Sequence, residues 1–187
     1  MGKSGSGKTI TQILLEKNYN YKPKTKYSSR PMREGEIQDV TYHFISGKNF
    51  EQKIEDGFFI ESEKHMTNEG AWYYGVAYED CTNLNNGDEN VIILTPNGVR
   101  DLQKLGIDMV VIYLYANIPT INTRLTIRGD DSKEKERRIE ADIKDFKDAD
   151  TLADRIVYNN LSDDIESVVE NVDYWYKKIL KEKSNEK

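Results

Sequence analysis

Residues 2–9 read Gly-Lys-Ser-Gly-Ser-Gly-Lys-Thr, a full match to the phosphate-loop pattern G-x-x-x-x-G-K-[ST]. Gly2, Gly5 and Gly7 let the backbone bend until several N–H groups point inward at one anion. Lys3, Ser4 and Ser6 contribute backbone to the same cradle. Lys8 is a mobile point charge within reach of β and γ phosphates, and the Thr9 hydroxyl is a candidate ligand for magnesium. A helix must start here, because its N-terminal N–H groups and dipole also favour phosphate. The following Thr-Ile-Thr-Gln-Ile-Leu-Leu stretch supplies one, with Ile10, Ile13 and Leu14 expected on its apolar face. That helix argues against a merely flexible Gly/Ser-rich start. The motif belongs between a strand and a helix. Only Met1 precedes Gly2, so the feeding strand is expected to be missing, with Met1 an internal methionine of a longer chain or a misassigned start.

A chain of 187 residues is expected to form one domain, with room for an inserted subdomain. The net charge of −6 argues against a general nucleic-acid binder while leaving room for a local basic pocket. The single cysteine, Cys81, excludes an internal disulfide and is read as a bystander. No apolar run approaches the ~18 residues of a membrane span, and no signal peptide is visible, so a cytoplasmic protein without a membrane partner is expected. His43 and His65 are too far apart to suggest a local metal motif.

Beyond the first helix the chain changes character twice. Residues 40–46 alternate and are read as a strand, 49–57 as a short helix closed by Gly57, and 58–61 and 71–78 as strands of a small sheet. After a turn-rich loop at 83–90, apolar runs at 91–94, 109–116 and 155–159 alternate with helices at 98–105, 120–127, 133–148 and 162–181. Ile139, Ile143 and Phe146 are expected on one side of the third of these. Ser162 is read as the N-cap of the last, and the tail at 182–187 as disordered. Strands alternating with helices call for a parallel α/β sheet.

Two arginine groups carry the chemistry. Arg30-Pro-Met-Arg33, followed by Glu36 and Tyr42, places two guanidinium forks where a second phosphate can be held bidentately. A solvated basic turn is the alternative, and the phosphate loop weighs against it. Arg124, Arg128, Arg137 and Arg138 flank a Gly-Asp-Asp-Ser-Lys turn and are read as a mobile lid that brings positive charge over a transferred phosphoryl group. The alternative there is an ordinary charged helical hairpin.

The order of these motifs resembles that of guanylate kinases. The segments in question are residues 2–9, Ser28-Ser-Arg-Pro-Met-Arg-Glu-Gly-Glu36, Thr41-Tyr-His-Phe44, Phe59-Ile-Glu61, Tyr73-Tyr-Gly75, Arg128-Gly129, Arg137-Arg-Ile139 and Ile156-Val-Tyr-Asn159. The resemblance covers nearly the whole chain in order. It implies a P-loop NTPase α/β fold of three layers with a parallel sheet. In it, 1–187 is a single guanylate kinase-like domain, with 1–24 and 81–187 as core, 25–80 as an inserted β-containing subdomain for the monophosphate, and 128–138 as a helical lid. It implies that Arg30, Arg33 and Tyr42 grip the GMP phosphate, with Glu36 the glutamate of the same motif. Glu61 would accept from the guanine N1 and N2 hydrogens, and Tyr74 is the second tyrosine of Y-Y-G. Arg128 and Arg138 would face the ATP phosphates as lid arginines, and Asn159 would lie near the adenine. The implied substrates are ATP with Mg2+ and GMP or dGMP.

Three positions depart from the family pattern. Lys26 and Val76 stand where serines contact guanine, and Ile93-Leu-Thr-Pro-Asn-Gly98 lacks both acidic residues of a D-x-D-x-Q-G segment. The stretch between Glu61 and Tyr74 is also longer, which makes Glu63 and Glu69 rivals for the role of Glu61. The expectation is transfer of the ATP γ-phosphoryl group to GMP or dGMP, with Lys8, Arg128 and Arg138 as the catalytic groups. Two alternatives stand beside it: a kinase for another (deoxy)nucleoside monophosphate, and a non-catalytic binding module.

Overall fold

The structure is a computed structural model and describes residues 1–67, 70–82 and 89–185. In chain order, helix α1 (Lys8–Tyr19) leads to strands β1 (Lys22–Pro23), β2 (Tyr27–Ser28) and β3 (His43–Phe44). Helix α2 (Gly47–Glu55) precedes a hairpin of β4 (Phe59–Thr67) and β5 (Gly70–Ala77). Next come α3 (Tyr78–Thr82), β6 (Asn90–Val91), α4 (Pro96–Lys104) and β7 (Ile112–Tyr115). The chain ends with α5 (Ile118–Ile127), α6 (Ser132–Asp145), α7 (Ala149–Leu152), β8 (Arg155–Tyr158) and α8 (Ile165–Asn185). These elements form two compact units: Met1–Tyr21 with Asp108–Lys187, and Lys22–Ile107.

In the first unit β7 and β8 pair in parallel, from Ile112 opposite Arg155 to Tyr115 opposite Tyr158. Met1 joins the same ladder. Its N-terminal ammonium donates to the Ile112 carbonyl at 2.9 Å, and its own carbonyl accepts from the Leu114 amide at 2.9 Å. The entry to the phosphate loop is therefore fixed to β7 at this one ladder position. The core beneath is Ala116, Ile121 and Leu125, with Ile139 of α6 packed against it.

Several sequence expectations are corrected here. The buried residues of α1 are Thr11 and Leu15, whereas Ile10 and Ile13 are 44% and 51% exposed. The helix leaves a loop whose last residue, Gly7, is fixed in the left-handed region, and that anchor sets the helix rotation in place of the apolar pattern. On α6, Ile143 is exposed, although Ile139 and Phe146 face inward, Phe146 stacking on Tyr113. Helix α8 begins at Ile165, not 162, because Asp164, whose carboxylate accepts from the Ser167 amide at 2.9 Å, is the better acceptor for its first turn. The same helix continues through 182–185, held where the Lys183 ammonium donates to the Met109 carbonyl at 2.8 Å. Residues 186–187 lie outside the described residues.

In the second unit a four-stranded sheet runs in the order β3-β2-β5-β4, with β2 and β3 parallel and the other pairs antiparallel. A short parallel ladder joins β1 and β6. The expected strand at 91–94 shrinks to the two residues of β6. Residues 83–88 of the expected turn-rich loop, and residues 68–69 with the rival Glu69, lie outside the described residues. The hairpin places Glu63 opposite Tyr74 and Glu61 opposite Val76. Its inner face stacks Phe59 on Phe50 at 4.4 Å between ring centroids, and Phe50 on Tyr73 at 5.3 Å. Gly75 is required by this stack, since a Cβ there would come within 2.8 Å of both phenylalanine rings. Phe50 is fully buried. Replacing it with Ala should destabilise the second unit by about 3–5 kcal/mol, read by urea unfolding of the full chain. A loss under ~1 kcal/mol would mean that the stack does not organise this sheet.

Candidate active site

The phosphate loop owes its shape to two left-handed glycines, Gly5 at φ 71° and Gly7 at φ 96°. Only glycine adopts these angles without strain. A turn hydrogen bond from the Ser6 amide to the Lys3 carbonyl, 3.1 Å, closes the loop. The Lys8 ammonium donates across it to the Lys3 carbonyl at 2.8 Å, which holds the charge over the loop. The first turn of α1 carries no acidic residue, so nothing in the helix opposes the positive end of its dipole. The Thr9 hydroxyl sits in that turn on an exposed residue.

Behind the loop stands a brace. The Asn159 amide, fully buried just after β8, donates to the Ser6 carbonyl at 2.8 Å. Its carbonyl oxygen accepts from Arg124 at 3.0 Å. The Arg124 guanidinium also donates to the Gly5 carbonyl at 3.2 Å and the Asn159 main-chain carbonyl at 3.0 Å. A Cβ on Gly7 would collide with the Asn159 amide nitrogen. Arg124, grouped by sequence with the lid, is thus a support of the loop. Burial, which lowers the Arg124 pKa, is opposed by the charge of Asp163. The Asn159 side chain is engaged by the loop backbone and by Arg124.

Of the other arginines of the second group, Arg128 lies at the α5–α6 turn and Arg137 and Arg138 lie within α6. Arg128 forms a two-pronged pair with Asp130. Arg138 donates to Glu134 at 2.6 Å, and Arg137 pairs with the same carboxylate at 2.8 Å. The hydrogen bond from Arg137 holds the Glu134 carboxyl below its usual range, against burial and together with the Arg138 charge. Gly129 turns the chain at φ 86°, and Asp131 caps α6 by accepting from the Lys133 and Glu134 amides. Cations and carboxylates are therefore matched along this turn.

The second unit holds a buried ion pair. The Arg30 side chain is 3% exposed and makes a bidentate pair with Glu36, at 2.6 and 2.5 Å. Burial alone would push the Glu36 carboxyl up, yet the Arg30 hydrogen bonds and the Arg33 amide, 2.7 Å away, hold it below its usual range. The Arg30 guanidinium lies 5.1 Å from the Tyr42 ring centroid, and Tyr42 meets Tyr74 edge to face at 6.0 Å. Arg30, Arg33, Glu36, Tyr42 and Tyr74 are thus gathered in one unit, with Arg33 reached through its amide.

Further along the sheet stand two carboxylates of β4. Glu61 is 6% exposed, and its Oε1 is 3.4 Å from the Thr95 amide at the start of α4. Its Oε2 is buried and has no hydrogen-bond partner among the described residues. A Cβ on Gly98 would occupy the place of that oxygen. Glu63 is engaged by His65 at 3.3 Å. Burial, which would push its carboxyl up, is outweighed by His65, the Lys26 charge and Thr95, so it stays below the usual range. Val76 is buried, and the Thr95 hydroxyl oxygen caps α4 by accepting from the Gly98 amide at 3.2 Å. Burial and the charges of Asp80 and Glu61 push the Cys81 thiol up to about 12, so it is protonated near neutral pH.

Losing Arg124 removes the donors to the Gly5 carbonyl of the loop and to Asn159 at once. The Arg124→Ala variant should fold, as judged by circular dichroism, yet bind ATP about tenfold more weakly or worse, measured calorimetrically without magnesium. Unchanged affinity would show that the loop holds its shape without the brace.

The family model for guanylate kinase matches residues 1–176. A guanylate kinase of Chlorobium luteolum is 30% identical over 171 residues, covering 89% of this chain and 85% of the relative. That of Chlorobium chlorochromatii is 31% identical over 176 residues, 90% of each chain. The crystal structure of guanylate kinase from Anaplasma phagocytophilum superposes with a TM-score of 0.64 at 17% identity, over 94% of this chain and 82% of that one. The last comparison shows a shared α/β fold, and the whole-length match shows that the chain belongs to the guanylate kinase family.

Proposed function

We propose that the chain transfers the γ-phosphoryl group of ATP to GMP or dGMP, giving ADP and the guanosine diphosphate. The observation that carries the choice of acceptor is the unpartnered buried Oε2 of Glu61, in the unit that also holds the Arg30–Glu36 grip. A buried acceptor without a donor costs on the order of 1–3 kcal/mol. The N1–H and N2–H groups of guanine present two donors side by side, the complement of a carboxylate. Glu63, already engaged by His65, is the weaker candidate for that role. Among the described residues no helix is long and apolar enough to cross a membrane.

The chemistry asks little of a base. An oxygen of the GMP phosphate, already anionic, attacks the γ-phosphorus in line. A new P–O bond forms to the GMP oxygen as the bond from the γ-phosphorus to the bridging β,γ oxygen breaks, and the electron pair leaves with ADP. Arg30, Arg33, Tyr42 and Tyr74 hold the acceptor phosphate, with Glu36 fixing the Arg30 fork. Residues 2–9 hold the donor. Lys8 and the lid arginines Arg128 and Arg138 offset charge on the transferred group, for which Arg128 and Arg138 exchange their acidic partners for phosphate oxygens. Magnesium enters with ATP. The Thr9 hydroxyl would hold the ion beside the phosphates. The ion's contribution is to neutralise the β and γ oxygens.

The test is a coupled ADP-release assay with ATP–Mg2+ against GMP, dGMP, AMP, CMP and dTMP. Turnover with the guanine nucleotides and loss of at least 100-fold in Lys8→Ala, with an unchanged far-UV spectrum, are expected. Turnover with another monophosphate alone would favour the kinase of different base preference. ATP binding without turnover on any of them would favour a binding module. A second expectation concerns Glu61→Gln. It should raise KM for GMP at least tenfold, with KM for ATP within twofold of wild type. An equal effect on both substrates would remove Glu61 from the acceptor site.

A further inference from the structure

We propose that Asp142 of α6 competes with the bound nucleoside triphosphate for the phosphate loop. Its carboxylate takes a loop N–H in the empty enzyme and yields it when the nucleotide arrives. The inference rests on the reading that residues 2–9 bind ATP. The Ser4 amide donates to Asp142 Oδ2 at 2.7 Å, across 138 positions of sequence. That distance is typical of a hydrogen bond to a charged acceptor. Ser4 belongs to the loop whose N–H groups are turned by Gly5 and Gly7 to receive an anion, and a carboxylate oxygen is the side-chain group closest in charge and geometry to a phosphate oxygen.

The surroundings make the contact more than incidental. Asp142 is half-buried, and no lysine or arginine pairs with it among the described residues. A half-buried carboxylate without a cation is compensated by hydrogen bonds alone, so the Ser4 amide matters to Asp142 as much as Asp142 matters to the loop. Four residues earlier on the same helix, Arg138 pairs with Glu134 at 2.6 Å. Spacing of four puts Arg138 and Asp142 on one helical face. Helix α6 thus carries the anion that occupies the loop one turn from an arginine assigned to the phosphates. The Ser4 N–H cannot serve the carboxylate and a phosphate oxygen together, and the two anions repel. Triphosphate binding therefore releases Asp142 and with it the hold of α6 on the loop, linking occupancy of the loop to the lid helix. Asp142 is a positioning residue in this scheme and takes no part in the transfer.

The experiment uses the full chain and the variants Asp142→Ala and Asp142→Asn. Affinities for ATP without magnesium and for GMP are measured by calorimetry, and the Ser4 amide is followed by 15N-resolved NMR. The expected result is ATP binding roughly three- to tenfold tighter in Asp142→Ala with GMP affinity unchanged. In the free Ala variant the Ser4 amide proton should move upfield and exchange faster, and on saturation with ATP the Ser4 resonance should coincide with wild type. Tighter ATP binding in both variants with an unmoved Ser4 resonance would reduce the effect to simple charge repulsion and overturn the latch. ATP binding in wild type that is equal or weaker in Asp142→Ala would also overturn it. A wild-type chain that binds no ATP would overturn the functional reading and the latch together.

Discussion

The phosphate loop can present its N–H groups only if its carbonyls are held from behind, and the amide of Asn159 does that holding. One side chain accepts from Arg124, donates to Ser6 and fills the space that forces residue 7 to be glycine. Arg124 ties the same amide to the Gly5 carbonyl. All of these groups are partly or fully buried, where a donor or acceptor left unmatched costs on the order of 1–3 kcal/mol. The brace and the left-handed angles at Gly5 and Gly7 together fix the loop at the start of α1.

The second unit solves a similar problem with different means. Arg30 is almost fully buried, and a guanidinium so placed is tolerated because Glu36 matches its fork and the Tyr42 and Phe44 rings lie at 5.1 and 5.3 Å. A buried ion pair adds little to stability by itself, since desolvation offsets much of the attraction. Its value here is geometric: the bidentate pair fixes the plane of the guanidinium. The sheet register then lines up Tyr74 opposite Glu63 and Val76 opposite Glu61, so two carboxylates lie along one sheet. The aromatic stack of Phe50, Phe59 and Tyr73 keeps that sheet rigid from the other side.

Charge in this protein is largely self-compensated. Arg128 pairs with Asp130, Arg137 and Arg138 with Glu134, and Arg30 with Glu36. A kinase that handles two polyanions needs many cations, and these would repel one another in the empty protein. Pairing each with a local carboxylate relieves that repulsion.

The sequence alone determined what local chemistry can encode. The phosphate loop, the helix after it, the arginines at 30 and 33, the α/β alternation and the family all follow from residue types at short spacings. The presence of two strands of the small sheet, α2 closed by Gly57 and the turn at Gly129 were legible for the same reason. Only the tertiary structure decided which side chains meet across long separations. Ser4 and Asp142, Arg124 and Gly5, and Asn159 and Ser6 are far apart in the chain, and no periodicity reports such pairs. It also decided helix rotation: α1 buries Thr11 and Leu15 because its start is fixed by Gly7, not by its apolar residues. It separated Glu61, buried with an unmatched oxygen, from Glu63, paired with His65, since two glutamates two apart on one strand face are alike until their neighbours on α4 and β5 are known.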